Sequence, residues 1–290
     1  RESPHKNKGI KMKTILITGA TGFLGKRIVL EMRKKGYQVI GTSFSESNAK
    51  ELERALRRHD IEDVKLYSVD IANNLFRLSR IIKENEVDYI IHAAALKHVG
   101  ICEDNPTRAI EVNVLGSRNV LEAAMLGDVK NAIAISTDKA VEPVCTYGMT
   151  KRLMEDMFLE NNFGVFRGVN FLFSSQSVLD IWDKLRASNE QILSNKTAIR
   201  YFCTVEEIIQ KISDSLNNKE IFSIDTCYKI SIADLQEAYS KYHNYWNVAE
   251  YTPLDIEKTI EALPINNVKV INPTINEIIQ MIGDFYKNRV

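Results

Sequence analysis

In the first half of the chain, short apolar runs alternate with amphipathic stretches in which hydrophobic and polar residues are mixed. Residues Thr14–Thr18 form a run without polar alternation, which is typical of a strand buried on both faces. Between Phe23 and Lys35, apolar residues recur at every fourth position, and Gly36 follows as a helix C-cap. The pattern therefore predicts a strand that is followed directly by a helix.

The same order continues to about residue 136. It predicts further strands at Tyr37–Ser43, Val64–Val69, Asp88–His92 and Ala132–Ser136, with helices at Glu46–His59, 75–85 and 106–127. Strands that alternate with helices indicate an α/β fold with a Rossmann-like, doubly wound parallel sheet and helices on both faces.

The second half is less regular. It predicts strands at Gly164–Phe173 and Glu220–Asp225, and helices at Thr204–Leu216, Ser231–His243 and Pro273–Lys287. Because no repeat, low-complexity tract or long linker separates the halves, we expect one compact unit with two interleaved lobes. We assign 12–165 to the Rossmann-like lobe, 166–290 to a smaller C-terminal lobe, and 1–11 to a tag or disordered leader before an initiating Met12.

Composition narrows the classes of function. The 290 residues carry 38 Lys and Arg against 38 Asp and Glu, so the formal net charge is zero and a polycation that binds nucleic acid is excluded. No apolar run approaches the ~18–20 residues of a membrane span. The four cysteines, at 102, 145, 203 and 227, match neither a zinc site nor a disulfide framework. We therefore expect free thiols in a reducing cytoplasm, and no metal.

Three glycines follow the first strand at three-residue spacing. Gly19 suits a tight turn, Gly22 allows close approach of a pyrophosphate, and Gly25 allows the helix to pack on the strand. The N-terminus of the following helix then presents free N–H groups to an anion. The alternative is a plain strand-to-helix turn, but the strand before and the helix after favour a dinucleotide site.

The end of the second strand bears on the choice between NAD and NADP. Residues Thr42–Ser45 contain no acid, and the first carboxylate is Glu46, so a 2′-phosphate would meet no negative charge there. This favours NADP, although no arginine follows the strand, and Lys50 and Arg54 are equally consistent with solvated helix charges. Asp70 is a candidate for the adenine amine or, alternatively, a helix N-cap.

A tyrosine and a lysine stand one helical turn apart shortly after the fifth strand. Tyr147 and Lys151 would share a helix face, and Thr137 supplies a hydroxyl at the end of the strand. A nearby ammonium lowers the pKa of a phenol, so the phenolate becomes an accessible base. Such a base takes the proton of an alcohol whose carbon gives hydride to a nicotinamide.

These motifs resemble the extended short-chain dehydrogenase/reductase superfamily, and most closely its inverting UDP-N-acetylglucosamine 4,6-dehydratases. The resemblance is dense from about 14 to 155 and returns further on. The segments that carry it are Ala93–Val99, Cys102–Pro106, Asn113–Val114, Ser136–Val141, Tyr147–Gly148, Thr150–Lys151, Asn170, Ser177–Val178 and Arg200–Glu207.

The resemblance implies a dehydratase that oxidises C4 of the sugar, removes water across C5 and C6, returns the hydride to C6 and inverts C5. It makes Tyr147 the base at O4, aided by Lys151 and Thr137. It makes Asp138 the acid at the C6 hydroxyl and Lys139 the base at C5. Lys139 must then be neutral part of the time, which requires a pKa depressed by burial or by Lys151. The alternative for Asp138 and Lys139 is an ion pair on a surface loop.

The resemblance also implies two sets of binding residues. The set for NADP is Gly19, Thr21, Gly22, Phe23, Leu24, Gly25, Ser43, Phe44, Ser45, Asp70, Ile71, Ala93, Ala94, Ala95, Lys97, Tyr147 and Lys151. The set for the UDP-sugar is Lys97, His98, Asn170, Ser177, Val178 and Arg200.

Several of these residues have plainer interpretations. Lys97 is also consistent with a solvated lysine at a helix start, and His98 with a structural residue. Asn113 either positions the lysine through backbone or water, or is a polar helix residue without a role. Arg167 is a weaker phosphate ligand that could simply extend along the surface, and Thr204 is best explained as an N-cap.

The chain departs from the family pattern at one loop in particular. Residues 171–176 read Phe-Leu-Phe-Ser-Ser-Gln where relatives carry a glycine-rich loop with an arginine, while Met149 and Gly100 replace a small residue and a proline. A UDP-sugar 4-epimerase and a non-catalytic NADP-binding protein therefore remain alternatives. The Asp138–Lys139 pair argues against the epimerase. The superfamily commonly pairs through helices at 106–127 and 147–161, so a homo-oligomer is expected.

Overall fold

The computed structural model describes residues 12–174, 177–250 and 263–287. The strands are β1 (Thr14–Thr18), β2 (Gln38–Ser43), β3 (Lys65–Ser68), β4 (Tyr89–His92), β5 (Asn131–Thr137), β6 (Gly164–Gly168), β7 (Asn170–Phe171), β8 (Ile192–Ser194), β9 (Ile199–Cys203), β10 (Ile221–Phe222), β11 (Thr226–Ser231), β12 (Val248–Glu250) and β13 (Lys269–Ile271). The helices are α1 (Phe23–Lys34), α2 (Glu46–Arg57), α3 (Leu75–Glu84), α4 (Val99–Asp104), α5 (Pro106–Ile110), α6 (Gly116–Leu126), α7 (Thr146–Glu160), α8 (Val178–Ala187), α9 (Val205–Asp214), α10 (Ile232–His243) and α11 (Ile275–Lys287).

Seven parallel strands form the central sheet, in the order β10-β6-β5-β4-β1-β2-β3. Side chains alternate across it: Ile15 and Ile17 face one core, which is shared with α1 and α9, and Leu16 faces a second core, which is shared with α3, α6 and α7. The predicted doubly wound parallel sheet is confirmed. Strand order reverses between β1 and β4, and in such sheets ligands bind beyond the carboxyl ends at this point.

The predicted helix at 106–127 is wrong in its continuity. Residues 106–126 instead form α5, a π-helical segment at Glu111–Leu115, and α6. The wide turn surrounds Asn113, whose side chain is fully buried and hydrogen-bonded outside its own helix. π-Turns of this kind often occur at functional sites.

The smaller lobe has a four-stranded sheet in the order β13-β11-β9-β7 and a separate β8–β12 pair. The predicted strand at Gly164–Phe173 is confirmed at Gly164–Gly168 and Asn170–Phe171 but is not continuous, because the chain breaks at buried Val169 and leaves the central sheet for the second one. Only Ile221–Phe222 of the predicted strand at 220–225 pairs, and it joins the central sheet beside β6. The lobe boundary at 165/166 stays a prediction, and 1–11 lies outside the described residues.

Within the described residues, no helix combines the length and apolar character needed to cross a membrane.

Candidate active site

The glycine turn after β1 is built around close backbone approaches. Gly19 has φ +66°, and a Cβ there would lie 2.8 Å from the Cα of Ala94, so the turn excludes a side chain. The α1 helix starts after Gly22 with no side-chain cap and no acid in its first turn. Its first N–H groups can therefore receive an anion, which fits the pyrophosphate of a dinucleotide.

The end of β2 presents hydroxyls rather than charges. Thr21 Oγ1 and Ser43 Oγ lie 2.9 Å apart, and the Phe44 ring is 70% exposed. Lys50 pairs with Glu46 at 2.6 Å on the solvent side of α2, so the interpretation of Lys50 as a surface charge holds.

A cation that sequence reasoning missed lies beside the end of β2. The guanidinium of Arg108 on α5 is 5.8 Å from the centre of the Phe44 ring. No local signal could have found it, because the two residues come from distant parts of the chain.

Asp70 is neither a helix N-cap nor a free carboxylate. Its Oδ1 accepts from Ala72 N at 3.0 Å and its Oδ2 from Asn73 Nδ2 at 2.8 Å. The cap of α3 is Asn74, whose side chain accepts from Arg77 N. The predicted N-cap role of Asp70 is therefore wrong, and the aspartate shapes the loop that follows β3.

Three polar side chains meet where β5 ends. Thr137 Oγ1 donates to Asp138 Oδ1 at 2.8 Å, and Lys139 Nζ donates to the same oxygen at 3.1 Å and to Asn170 Oδ1 at 3.3 Å. The Asp138 side chain is 1% exposed and that of Lys139 is 13% exposed. The alternative of a surface ion pair is therefore wrong. Among the described residues, Asp138 Oδ2 has no hydrogen-bond partner, so it can receive a ligand hydroxyl.

Tyr147 and Lys151 lie one turn apart on α7, as expected. The phenol hydrogen-bonds with the Thr137 hydroxyl, which lowers its pKa, but burial and then the Asp138 charge dominate and raise the pKa of Tyr147 well above its usual value. Lys151 Nζ donates to Met154 Sδ at 3.2 Å. Burial lowers the pKa of Lys151 to about 8 against the opposing charge of Glu155. The predicted lowering of the phenol pKa by Lys151 is therefore not observed: burial dominates, and the opposing hydrogen bond comes from Thr137.

Asn113 ties the loop after β4 to α7. Its Oδ1 accepts from Leu96 N at 2.7 Å, and its Nδ2 donates to Leu96 O at 2.9 Å and to Thr150 Oγ1 at 3.0 Å. Thr150 in turn donates to Tyr147 O at 2.8 Å. Asn113 therefore positions the backbone around both catalytic candidates, and the alternative of an idle polar residue is wrong.

Lys97 faces the start of α8 across the site. Partial burial lowers the pKa of Lys97, and the Asp180 charge counteracts it. Ser177 caps α8 by accepting from Asp180 N, and Val178 is its first residue. Burial and the Lys97 charge lower the pKa of His98, which precedes α4. Sequence reasoning missed Asp180, because nothing links it to Lys97 along the chain.

Asn170 and Arg200 share a sheet face in the smaller lobe. Asn170 pairs with Phe202 on β9, and Arg200 lies two residues before Phe202. Arg200 Nη1 donates to Ile199 O at 3.0 Å. Thr204 and Glu207 form the predicted capping box of α9, so Thr204 is an N-cap. The interpretation of Arg167 as extending along the surface is wrong, because it is buried and forms a bidentate pair with Glu155.

In the described parts of the chain, no three His, Cys, Asp or Glu side chains are grouped so that they could hold a metal ion. The four cysteines are free and buried.

The sheet order, the glycine turn and the Tyr147–Lys151 pair define an extended short-chain dehydrogenase/reductase. A family model described as "Polysaccharide biosynthesis protein" matches residues 15–271, and the chain belongs to this family. The resemblance inferred from the sequence motifs is thereby confirmed at the level of family.

Three relatives illustrate the range of the family. A protein of Methanocaldococcus jannaschii, described as an uncharacterised membrane protein, is 36% identical over 70% of this chain and 62% of its own. An inverting UDP-N-acetylglucosamine 4,6-dehydratase of Campylobacter jejuni is 33% identical over 78% of this chain and 70% of its own. A UDP-glucose 4-epimerase of Rickettsia bellii is 30% identical over 69% of this chain and 61% of its own. The chain thus matches less than two thirds of the length of some of these relatives.

Solved structures establish the fold. Pen from Bacillus thuringiensis superposes with a TM-score of 0.84 at 24% identity, covering 94% of this chain and 99% of that one. DesIV, a dTDP-glucose 4,6-dehydratase of Streptomyces venezuelae solved with NAD, superposes with a TM-score of 0.79 at 15% identity, covering 95% and 98%.

Proposed function

We propose that this chain is an NADP-dependent UDP-N-acetylglucosamine 4,6-dehydratase that inverts C5. The observation that carries the proposal is the buried Asp138–Lys139 pair, which hydrogen-bonds to Thr137 beside the Tyr147 phenol. Hydride exchange at C4 requires only the tyrosine and lysine, whereas loss of water across C5 and C6 requires a further acid and base. The 33% identity to the Campylobacter dehydratase supports the same assignment.

The cofactor side of the site fits a dinucleotide phosphate. The turn at Gly19 and Gly22 would hold the pyrophosphate, and the hydroxyls of Thr21 and Ser43 would bind the ribose in place of a carboxylate. Arg108 is the cation proposed to favour a 2′-phosphate. When bound, the nicotinamide supplies a temporary acceptor for hydride, which is returned within the same turnover.

Each proposed step has its own side chain. Tyr147 takes the proton of the C4 hydroxyl, with Thr137 hydrogen-bonded to the same oxygen and Lys151 supporting the phenolate. Lys139 takes the C5 proton, and Asp138 gives its proton to the C6 oxygen, so that water leaves. Because Lys139 Nζ and Asp138 Oδ1 are 3.1 Å apart, the proton gained by the amine can return to the carboxylate and restore both groups. Tyr147, which holds the exchangeable proton taken from O4, gives it to C5 on the face opposite Lys139, which restores the phenolate and inverts that carbon.

The UDP portion is proposed to lie along the smaller lobe, near Asn170, Arg200 and the start of α8. The unusual loop after Asn170 uses its aromatic residues for packing: Phe171 stacks on Phe23 at 6.4 Å and Phe173 on Phe285 at 3.7 Å. Residues 171–174 contain no cation. We therefore expect Arg200 to neutralise the charge of the diphosphate, with Lys97 on the opposite side.

One experiment separates the candidates. The protein is incubated with UDP-N-acetylglucosamine in deuterated buffer and followed by NMR. A 6-methyl signal, a hydrated 4-keto carbon, and deuterium at C5 with L configuration are expected. Equilibration with the C4 epimer would instead establish a 4-epimerase, which the Rickettsia relative favours. No change with any UDP-sugar would indicate a non-catalytic NADP-binding protein.

The Asp138–Lys139 assignment has its own test. Lys139→Ala should abolish product while cofactor binding, measured by calorimetry, is retained. Turnover by this variant at the wild-type rate would refute the assignment of Lys139.

We further propose that the protein works in the cytoplasm as a homo-oligomer. Apolar side chains between α5 and the middle of α7 are exposed, and we take four of them as the surface on which a second copy would pack: Ile110, Leu115, Met149 and Leu153. Sedimentation of variants with Leu153→Lys would test this, since a charge in a paired face should yield monomers.

A further inference from the structure

A buried ion pair lies one helical turn beyond Lys151, on the face of α7 that carries Tyr147 and Lys151. Glu155 is fully buried, and Arg167 on β6 donates Nε to its Oε1 at 2.8 Å and Nη2 to its Oε2 at 2.5 Å. Arg167 Nη1 also donates to Pro264 O at 3.3 Å. Burial of two charges costs as much as their attraction returns, so stability alone does not account for the pair.

Lys151 lies one turn before Glu155 and is 2% exposed. Residues four apart face the same side of a helix, so the Glu155 carboxylate and the Lys151 ammonium lie on one face. The ammonium donates to Met154 Sδ, a weak acceptor, and in the described residues no oxygen accepts from it. A charge at position 155 therefore acts on an ammonium whose own charge is balanced by few other contacts.

We propose that Glu155 is a positioning residue for Lys151, and that Arg167 fixes the Glu155 carboxylate and limits how much of its charge reaches the lysine. The pair would set how readily Lys151 keeps its proton beside Tyr147. The inference rests on the role proposed above for Lys151, but it makes a claim about the charge of that lysine which can be measured without substrate.

Among the described groups, Glu155 is the one whose charge acts on the pKa of Lys151. His92 on β4 is buried with its pKa lowered to about 3, by burial and by the Lys151 charge, so it is neutral at physiological pH. Asp138 acts on Tyr147. The pKa of Lys151 is set by burial, which lowers it to about 8, and by Glu155, which opposes that lowering.

The two partners of the pair predict shifts of opposite sign. Glu155→Gln removes the negative charge, so the pKa of Lys151 should fall by about one pH unit or more. Arg167→Met releases the carboxylate to act on Lys151 alone, so the pKa should rise. The double variant Glu155→Gln/Arg167→Met replaces both charges by groups of similar volume and should lie between Glu155→Gln and the wild type. It also provides a measurement if a single variant fails to fold.

The measurement is a pH titration by NMR of protein that carries ¹³C at the lysine ε-carbons, with the Lys151 signal assigned by its loss in Lys151→Arg. Asp156→Asn is the matched control, because Asp156 is an exposed acid on the same helix, paired with Arg152. The control should leave the Lys151 titration unchanged, and Glu155→Asp should restore most of it. Titration midpoints that do not move in Glu155→Gln, or that move in the same direction in both single variants, would overturn the proposal.

Activity then separates this inference from the proposed function. If the enzyme turns over a UDP-sugar, the alkaline limb of its kcat profile should move with the Lys151 midpoint, downward in Glu155→Gln and upward in Arg167→Met. Opposite NMR shifts in a protein without turnover would support the role of Glu155 and contradict the dehydratase. Turnover with unmoved midpoints would contradict the role of Glu155 and leave the dehydratase standing.

Discussion

The two lobes hold their polar groups in different ways. At the carboxyl end of the central sheet, side chains hydrogen-bond to one another. Thr137, Asp138 and Lys139 form a connected set where β5 ends, and Tyr147 on α7 joins this set. In the smaller lobe, the candidate ligands also perform local structural work, because Ser177 caps α8 and Arg200 donates to a neighbouring carbonyl. The comparison teaches that the candidate reacting groups hold one another in place at the end of a paired strand, whereas the candidate substrate ligands are held by contacts within their own element.

Substitution of the central phenol should have the largest effect. Tyr147→Phe keeps the ring but removes the group proposed to take the O4 proton, so kcat should fall about 10²–10⁴-fold with little change in thermal stability. Tyr245→Phe is the matched control in the smaller lobe, where the phenol donates to Glu190 O at 2.7 Å. Rates are compared in the NMR assay. Equal losses in both variants would remove the distinction between the lobes.

Stability of the smaller lobe should respond to a carboxylate outside the site. Asp183 Oδ1 accepts from Tyr239 OH at 2.9 Å and Tyr286 OH at 2.6 Å, and so joins α8, α10 and α11. Asp183→Ala removes the carboxylate that accepts from both phenols and should cost about 1–3 kcal/mol of unfolding free energy by urea denaturation, with kcat unchanged. Lys184→Ala, in an exposed pair on the same helix, should cost much less. A large loss of kcat in Asp183→Ala would show that the lobes are not separable.

A buried histidine and a partly buried one extend the comparison to pH. His92 in the central sheet contacts Thr18 Oγ1 at 2.7 Å and Ser117 Oγ at 2.9 Å, and its pKa is lowered to about 3. Burial also lowers the pKa of His243 in the smaller lobe, but the Asp183 charge opposes it. A folded-state pKa below the unfolded value of ~6.5 means that the unfolded state binds more protons in acid, so stability is lost as pH falls below ~6.5.

When the pH falls from 6.5 to 5, protonation of His92 in the unfolded state should lower the free energy of unfolding by roughly 2 kcal/mol. The corresponding loss from His243 should be smaller. Urea denaturation of wild type, His92→Gln and His243→Gln at both pH values measures these contributions. Each histidine's contribution is the part of the pH dependence of the unfolding free energy that its variant loses. A steeper dependence on His243 than on His92 would reverse the ranking of the two lobes.

The contrast between the lobes also explains what the sequence could predict. The parallel sheet, the glycine turn and the Tyr147–Lys151 pair follow from local patterns, since buried strands are continuous apolar runs and helical neighbours are four residues apart. The break at Val169, the π-turn at Asn113 and the proximity of Arg108 to Phe44 depend on contacts between distant segments. The same holds for the pKa of Tyr147, because burial belongs to the folded state and not to the spacing of residues.

The smallest expected effect concerns Arg200, and it tests whether the smaller lobe contributes binding alone. Arg200→Lys keeps the charge but loses the planar fork that suits a diphosphate, so KM for the UDP-sugar should rise about tenfold with kcat unchanged. An interaction made equally with substrate and transition state gives this signature. Lys229→Met is the control, because Lys229 on the neighbouring strand pairs with Tyr201 and so lies on the other sheet face. A fall in kcat at unchanged KM would place Arg200 among the reacting groups, and the smaller lobe would then contribute to the reaction as well as to binding.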